Sequence, residues 1–407
     1  MGNSKYYLCV TPFFPSSDNW RGAYVYDQVK AIQRHSEYKV VVFKTNTLID
    51  KEEDYDIDGI HVYSIRPFLM PSYILNGLTE KIVGTLFVRK LKQVGINPME
   101  VAFVHCHTTN HAAFGFGVKQ VNPKVKVLVQ FHDLDPLTLR NGKWADKRWN
   151  LRYRAQKSIE ALNKADLLVC ISEPVRDVLL SFPKPRIAEV YPPALSMYNR
   201  LGNMPHVVPK KLYILNNGVD VEYFNAGIMR RRTDCDIYRI GCVANFQDLK
   251  DHKTLLAAFS ELIKRGYLDM RLSLLGSGET KGAIIQYVKD NKLNDYVEWE
   301  DEIPHQKLPD YYRSLDLFVL PSRFEGFGCV YTEAAACGVP FICCENQGAA
   351  ECISVSERSR WLTKDHDASH LCSLIERQYK ERTCQHLCKP YDINELIRNF
   401  LLYLKGI

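Results

Sequence analysis

Short runs of β-branched and aromatic residues alternate with longer segments of helical periodicity along the whole chain, and this alternation constrains the fold most. It is the pattern of a parallel sheet covered by helices on both faces, because parallel strands need a crossover and helices supply it. Tyr6–Thr11 reads as the first strand, stopped by Pro12 and Pro15, and Gly22 precedes a helix over about Ala23–Arg34. Lys39–Lys44, Val101–Cys106, Lys126–Phe131, Asp166–Ile171 and Leu212–Leu215 read as later strands. After Phe224 the text turns polar and basic, and a second series begins at Tyr238. Its strands are expected at Ile240–Ala244, Arg271–Leu275, Leu317–Leu320 and Pro340–Cys344. The predicted division is residues 1–225, 226–388 and a C-terminal segment 389–407, whose amphipathic helix over Asp392–Leu404 is free to pack back on the first unit. Two doubly wound α/β units in series leave a cleft outside the carboxyl ends of their strands, so functional residues are expected in the loops that follow strands.

The length of 407 residues fits two or three domains, and 46% hydrophobic with 25% charged residues excludes intrinsic disorder. The formal charge of +6 suits phosphorylated ligands or an anionic membrane surface better than a nucleic-acid track. The thirteen cysteines fall mostly inside apolar runs, which reads as buried thiols in a reducing compartment rather than a disulfide framework. With no long uncharged apolar stretch and no signal-peptide profile, the chain is expected to be cytoplasmic, with peripheral attachment to the inner face of the membrane as a candidate. The His and Cys residues between His366 and Cys388 lack the C-x2-C spacing of a zinc finger.

The most informative stretch runs from Pro321 to Pro340, PSRFEGFGCVYTEAAACGVP. A strand ends at Pro321, a glycine-bearing turn follows, and a helix starts at about Cys329. Free amides and the positive dipole end of such a helix suit an anionic or polyhydroxylated ligand. Glu325 lies on the turn and Glu333 one turn into the helix, and a carboxylate accepts from two vicinal hydroxyls at once, as proteins hold ribose diols. The alternative for this stretch taken alone is an ordinary strand, tight turn and helix start with a solvated glutamate, and the surrounding loops count against it.

Glu325 and Glu333 form a Glu-x7-Glu element, and other loops accompany it in order: Gly22, His132-Asp133, Ile171-Ser172-Glu173, Asn217-Gly218-Val219-Asp220, Lys250, Gly276-Ser277-Gly278 and Gly348-Ala349-Ala350-Glu351. On these residues the chain resembles the family-4 retaining glycosyltransferases, of glycosyl transferases group 1 and GT-B architecture, over about residues 5 to 355. The resemblance implies an α/β fold of two Rossmann-like units, the first binding acceptor and the second a nucleotide-sugar donor. It implies that Glu333 holds the ribose, that Glu325 with the amides of Phe327 and Gly328 holds the donor sugar, and that Lys250 neutralises the diphosphate. The backbone around Ile303 would read the base, with Gly276 in the neighbouring glycine loop. Gly22 would let backbone approach the phosphates, and His132 would sit near the anomeric carbon. Taken singly, His132 reads as a satisfied histidine at a strand end and Lys250 as a solvated lysine. The implied chemistry is retention by front-face attack, with no metal and no cofactor beyond the donor itself. Asp133-Leu134-Asp135 imitates the metal motif of GT-A transferases, in a chain whose site lies elsewhere.

Three departures matter. Asn245 stands where the family carries an arginine, leaving Arg21 and Arg323 as candidates for the missing phosphate contact. Asp301 replaces the usual glycine before the base-reading loop. Residues 181–209 form a connection longer than the fold requires. For the acceptor, Lys143 to Lys157 interleaves basic residues with Trp144, Trp149 and Tyr153, and Ile82 to Leu91 ends in Arg89, Lys90 and Lys92. Both read either as solvated helix faces or as surfaces for a membrane or lipid-diphosphate acceptor. The expected activity is hexosyl transfer from a UDP-linked donor to a glycan or lipid-linked sugar in cell-surface polysaccharide synthesis, with no nucleic-acid partner. A sugar phosphorylase and an inactive binding module on the same architecture are the rivals.

Overall fold

The computed structural model describes residues 5–16, 20–47, 50, 52–70, 75, 77–132, 147–182, 199–227 and 237–407. The chain divides into two compact units, Met1–Asn217 with Ile393–Ile407, and Gly218–Asp392.

The first unit is built on an eight-stranded sheet. Its strands are β1 (Tyr6–Thr11), β2 (Lys39–Thr45), β3 (Tyr55–Ile57), β4 (Ile60–Ile65), β5 (Val101–Cys106), β6 (Lys126–Phe131), β7 (Leu167–Cys170) and β8 (Leu212–Ile214). They lie in the order β3-β4-β2-β1-β5-β6-β7-β8, parallel except for the antiparallel β3–β4 pair. Strand β1 shows why both faces are covered. Tyr7 and Cys9 enter one core with the Ala23–His35 and Ile393–Leu404 helices, while Leu8 and Val10 enter another with the Glu80–Gln93 and Ala112–Val121 helices.

The second unit carries a six-stranded, all-parallel sheet: β9 (Tyr238–Val243), β10 (Met270–Leu275), β11 (Val297–Glu300), β12 (Leu317–Val319), β13 (Phe341–Cys344) and β14 (Leu362–Thr363). The order is β11-β10-β9-β12-β13-β14. From β9 the chain winds one way to β10 and β11, and from β12 the other way to β13 and β14. The direction reverses between β9 and β12, so the loops after those two strands flank the crevice where doubly wound sheets bind ligands. In the first unit the reversal lies between β1 and β5.

The boundaries differ from those drawn on the sequence at 225 and 388. Val219 donates its N–H to Tyr391 O at 2.8 Å, and Val219 and Phe224 lie in the core of the second unit. The segment up to Asp392 stays with that unit, held by Cys388 N–H on Cys352 O at 2.7 Å and by the Val219–Asp392 bridge. Only the helix beyond returns, burying Ile397 and Phe400 completely in the first unit. The β3–β4 hairpin was not expected from the sequence, although Asp58 and Gly59, at φ +48° and +77°, are a dipeptide suited to a tight hairpin turn.

Candidate active site

The loop after β9 and the loop after β12 are sewn together. Arg323 donates its backbone N–H to Leu249 O at 2.9 Å, and Lys250 Nζ lies 2.5 Å from Glu325 Oε1 across 75 residues of sequence. Both side chains are mostly enclosed, at 20% and 13% exposure, and Ser322 Oγ donates to the same Glu325 oxygen at 2.8 Å. A buried polar frame fixes the turn. Gln347 donates its side-chain amide to Ser322 O, and the Tyr331 hydroxyl lies 2.7 Å from both Leu320 O and Gln347 Oε1. Ala349 N–H donates to Phe327 O at 2.9 Å, and Phe327 is buried.

Gly328 opens the Cys329–Ala336 helix at φ +82°, with no capping bond from a described side chain. A Cβ there would stand 2.5 Å from the buried Tyr331 ring, so glycine alone fits. Glu333 sits in this helix and accepts from the Tyr312 hydroxyl at 2.7 Å. Burial pushes its carboxyl up to about 7, against the opposing pull of that hydrogen bond. Among the described residues neither acid pairs with an arginine. Glu325 is held by Lys250 and Ser322 and Glu333 by the Tyr312 hydroxyl, contacts whose charge and lone pairs a polyhydroxylated ligand can take over.

The remaining expected residues of this unit fall as follows. Gly276, after β10, has φ +143°, and a Cβ would come within 2.2 Å of Ala244 O, so the loops after β9 and β10 touch. Asp301, in place of the usual glycine, has no positive φ and pairs with Lys281 at 2.7 Å; Ile303 lies half-buried beyond it. Asn245 is exposed, its carbonyl accepting from Gln247 N–H at 2.8 Å. Of the two candidate replacements for the missing arginine, Arg323 belongs to this loop pair, its guanidinium 3.1 Å from Asp248. Arg21 lies in the other unit with its guanidinium 4.0 Å from the Phe13 ring centroid.

In the first unit, Gly22 opens the Ala23–His35 helix at φ +93°, and a Cβ would meet the Phe13 carbonyl at 2.6 Å. His132 follows β6 directly, its Nε2 2.9 Å from His107 Nδ1. Burial, then the neighbouring His105, holds the His132 imidazole down to about 3, so it is neutral at physiological pH.

Other expectations resolve differently. His366 pairs with Asp251 at 2.8 Å, Cys372 is buried, and Cys384 and Cys388 are exposed. Among the described residues no group of three or more His, Cys, Asp or Glu side chains is placed to hold a metal ion. Asp133-Leu134-Asp135, Lys143, Trp144 and residues 183–198 lie outside the described residues. Within the basic stretch, Arg154 is 1% exposed and Arg152 donates to Leu201 O, so these two serve the fold, whereas Trp149 is half exposed. Tyr312, Gln347 and His107 had no role in the sequence reading. A buried hydrogen-bond partner leaves no spacing signature.

The comparisons agree with this fold. The fold is that of GT-B glycosyltransferases: sucrose-phosphate synthase from Thermosynechococcus elongatus superposes at TM-score 0.64 and 17% identity, over 98% of this chain and 95% of that one. HepE from Anabaena, in complex with UDP and glucose, superposes at 0.62 and 14% identity over 98% and 99%. Residues 22–195 match the family model described as Glycosyltransferase Family 4, and residues 237–381 that described as Glycosyl transferases group 1. The chain belongs to the family-4, group 1 glycosyltransferases. Among curated relatives, the N-acetylgalactosamine-N,N'-diacetylbacillosaminyl-diphospho-undecaprenol 4-alpha-N-acetylgalactosaminyltransferase of Campylobacter jejuni is 26% identical over 238 residues, 54% of this chain and 62% of that protein. The GDP-mannose-dependent alpha-(1-6)-phosphatidylinositol monomannoside mannosyltransferase of Mycolicibacterium smegmatis is 25% identical over 219 residues, 50% of this chain and 51% of that one. The chain thus spans about half the length of the curated relatives it matches.

The Glu333 carboxyl yields a signed prediction. A carboxyl whose pKa is raised on folding costs nothing below its unfolded pKa, an increasing amount as pH rises from there to about 7, and its full amount above that. Glu333→Gln should therefore stabilise the protein by about 1–3 kcal/mol at pH 8 and leave it unchanged at pH 4. Thermal melts at the two pH values check this, and a lowered melting point at pH 8 would mean the acid serves the fold.

Proposed function

We propose that the protein is a retaining hexosyltransferase that moves a sugar from a UDP-linked donor to a glycan or lipid-linked sugar in cell-surface polysaccharide synthesis. The observation that carries this reading is the Lys250–Glu325 pair at the strand-order reversal, with Glu333 following in the helix that Gly328 opens. In the proposed complex Lys250 turns from Glu325 to the diphosphate, and Arg323 adds the charge that Asn245 lacks. Glu325 and the amides of Phe327 and Gly328 take the sugar hydroxyls, Glu333 takes the ribose diol, and the segment at Ile303 takes the base, with Gly276 keeping its approach open. In the first unit Gly22 is assigned to phosphate approach and His132 to the transferred sugar.

Transfer needs stabilisation of a departing diphosphate and of an oxocarbenium-like carbon. The acceptor oxygen bonds to the anomeric carbon on the face from which the carbon–oxygen bond to phosphate breaks, and the acceptor proton passes to the departing phosphate oxygen. Helix amides and Lys250 stabilise the charge, so the proposed reaction uses no metal. A thermal-shift panel of UDP, GDP and ADP with their sugars tests the donor, since ligand at a hundredfold its dissociation constant adds about 2.7 kcal/mol. The expected result is stabilisation by UDP, transfer that survives chelator, and a product with the donor's anomeric configuration by NMR. Cleavage that requires inorganic phosphate, or no response to any nucleotide, would overturn the reading.

A lipid-linked acceptor would bring the enzyme to an anionic membrane surface. Supporting this, the names of two relatives specify undecaprenol-linked and phosphatidylinositol-linked sugars, and Leu78, Ile82 and Leu86 form an exposed line at four-residue spacing beside exposed Lys81, Arg89 and Lys92. No helix among the described residues is long and apolar enough to cross a membrane. Sedimentation with anionic vesicles should fall at least several-fold in Ile82→Glu/Leu86→Glu. Equal sedimentation of the variant would remove this surface from the account.

A further inference from the structure

A chain of imidazoles lies behind His132 that the proposed chemistry does not use. Tyr7 OH lies 2.7 Å from His105 Nδ1, the His105 and His107 rings overlap at 4.5 Å, and His107 Nδ1 lies 2.9 Å from His132 Nε2. The His107 and His132 planes differ by 13° with centroids 5.2 Å apart. That spacing is the nitrogen contact plus one ring radius at each end, so these two rings meet edge to edge, nearly coplanar, with the shared proton on the line between them. His105 and His107 are 1% and 4% exposed, and β5, which carries His105 and precedes His107, lies beside β6, which precedes His132. Tyr24 closes the other side of His132 at 4.8 Å.

Among the described residues the groups facing the pair are His105, His111 and Tyr24, with Tyr7 and Gln130 on the far side of His105, and none of these is a carboxylate. Burial holds His105 near 3, His111 near 4 and His107 well below its ordinary value. All are neutral at working pH. Two neutral imidazoles in one hydrogen bond must divide the roles, one nitrogen donating and the other accepting. The choice fixes which nitrogen of His132 carries its proton. Its other nitrogen, Nδ1, is buried and has no partner among the described residues.

We infer that His107 is a positioning residue, holding the ring plane and a single tautomer of His132 so that Nδ1 is presented to the donor sugar with one defined hydrogen-bonding character. This rests on the reading that His132 serves the transferred sugar, and it adds the device that orients it. Hydrogen-bond partners of metal-ligating histidines fix ring orientation and tautomer in this way, and their loss there costs about 10–100-fold, which sets the scale expected here.

The test combines nitrogen NMR with kinetics on the full chain. In protein labelled with 15N-histidine and without substrate, His132 should show one neutral tautomer from pH 6 to 8. His107→Leu should give averaged tautomer shifts and a kcat lowered about 10–100-fold with donor KM within about twofold. His107→Asn, whose amide places a polar atom where Nδ1 was, should restore both. A tautomer-averaged signal in the unsubstituted protein, an unchanged tautomer and kcat in His107→Leu, or failure of His107→Asn to rescue would each overturn the inference. Should His107→Leu not fold, the unsubstituted protein and His107→Asn still decide. Absence of sugar transfer by the unsubstituted enzyme would instead strike the reading of function, and the substrate-free tautomer measurement separates the two failures.

Discussion

The site proposed in the second unit depends on one ion pair at one topological position. Lys250 and Glu325 meet because strand order reverses between β9 and β12, which sends the two following loops to the same crevice. Parallel strands deliver their carboxyl ends together, so the side chains that do chemistry need not be neighbours in sequence. The pair is partly enclosed, and its lysine is matched by a single carboxylate with one serine hydroxyl alongside. Such a pair gains little for stability once desolvation is counted. In the proposed complex it supplies a cation and an acceptor to a ligand that brings the complementary charges.

Around the pair, uncharged buried groups set the geometry. Gln347, Tyr331, Ser322 and the carbonyl of Leu320 form a frame that fixes the turn before the helix opens at Gly328. Loss of one member would leave its partners unsatisfied, at about 1–3 kcal/mol per buried group. The departures from the family pattern also have structural correlates. Asp301 is accommodated without a left-handed backbone and anchored by Lys281, and Arg323 is tied by its backbone to the Lys250 loop.

Much of this was legible in the sequence. Strands β1, β5 and β6 coincide with the apolar runs that predicted them, and the helix after Gly328 starts at Cys329 as expected. Their signals are periodicity and glycine, which are local. The β3–β4 hairpin escaped because β3 is only three residues long and polar residues interrupt both strands, although Asp58-Gly59 announced the turn. The domain boundary moved because Val219 and Phe224 join a core that only tertiary contact defines. The hydrogen-bond partners Tyr312, Gln347 and His107 were invisible for the same reason: residues identical in type occur throughout the chain, and only the fold brings Tyr312 to Glu333, Gln347 to the turn at Ser322 and His107 to His132.

In the proposed complex the two acids hold different parts of one donor, Glu325 the sugar and Glu333 the ribose. Titration calorimetry at pH 8 with UDP and with the intact UDP-sugar, on Glu325→Gln and Glu333→Gln, tests it most directly. Glu333→Gln should weaken both ligands alike, about tenfold or more, whereas Glu325→Gln should leave UDP nearly unchanged and remove the increment due to the sugar. Equal weakening of UDP and UDP-sugar by Glu325→Gln, or unchanged UDP binding by Glu333→Gln, would contradict it.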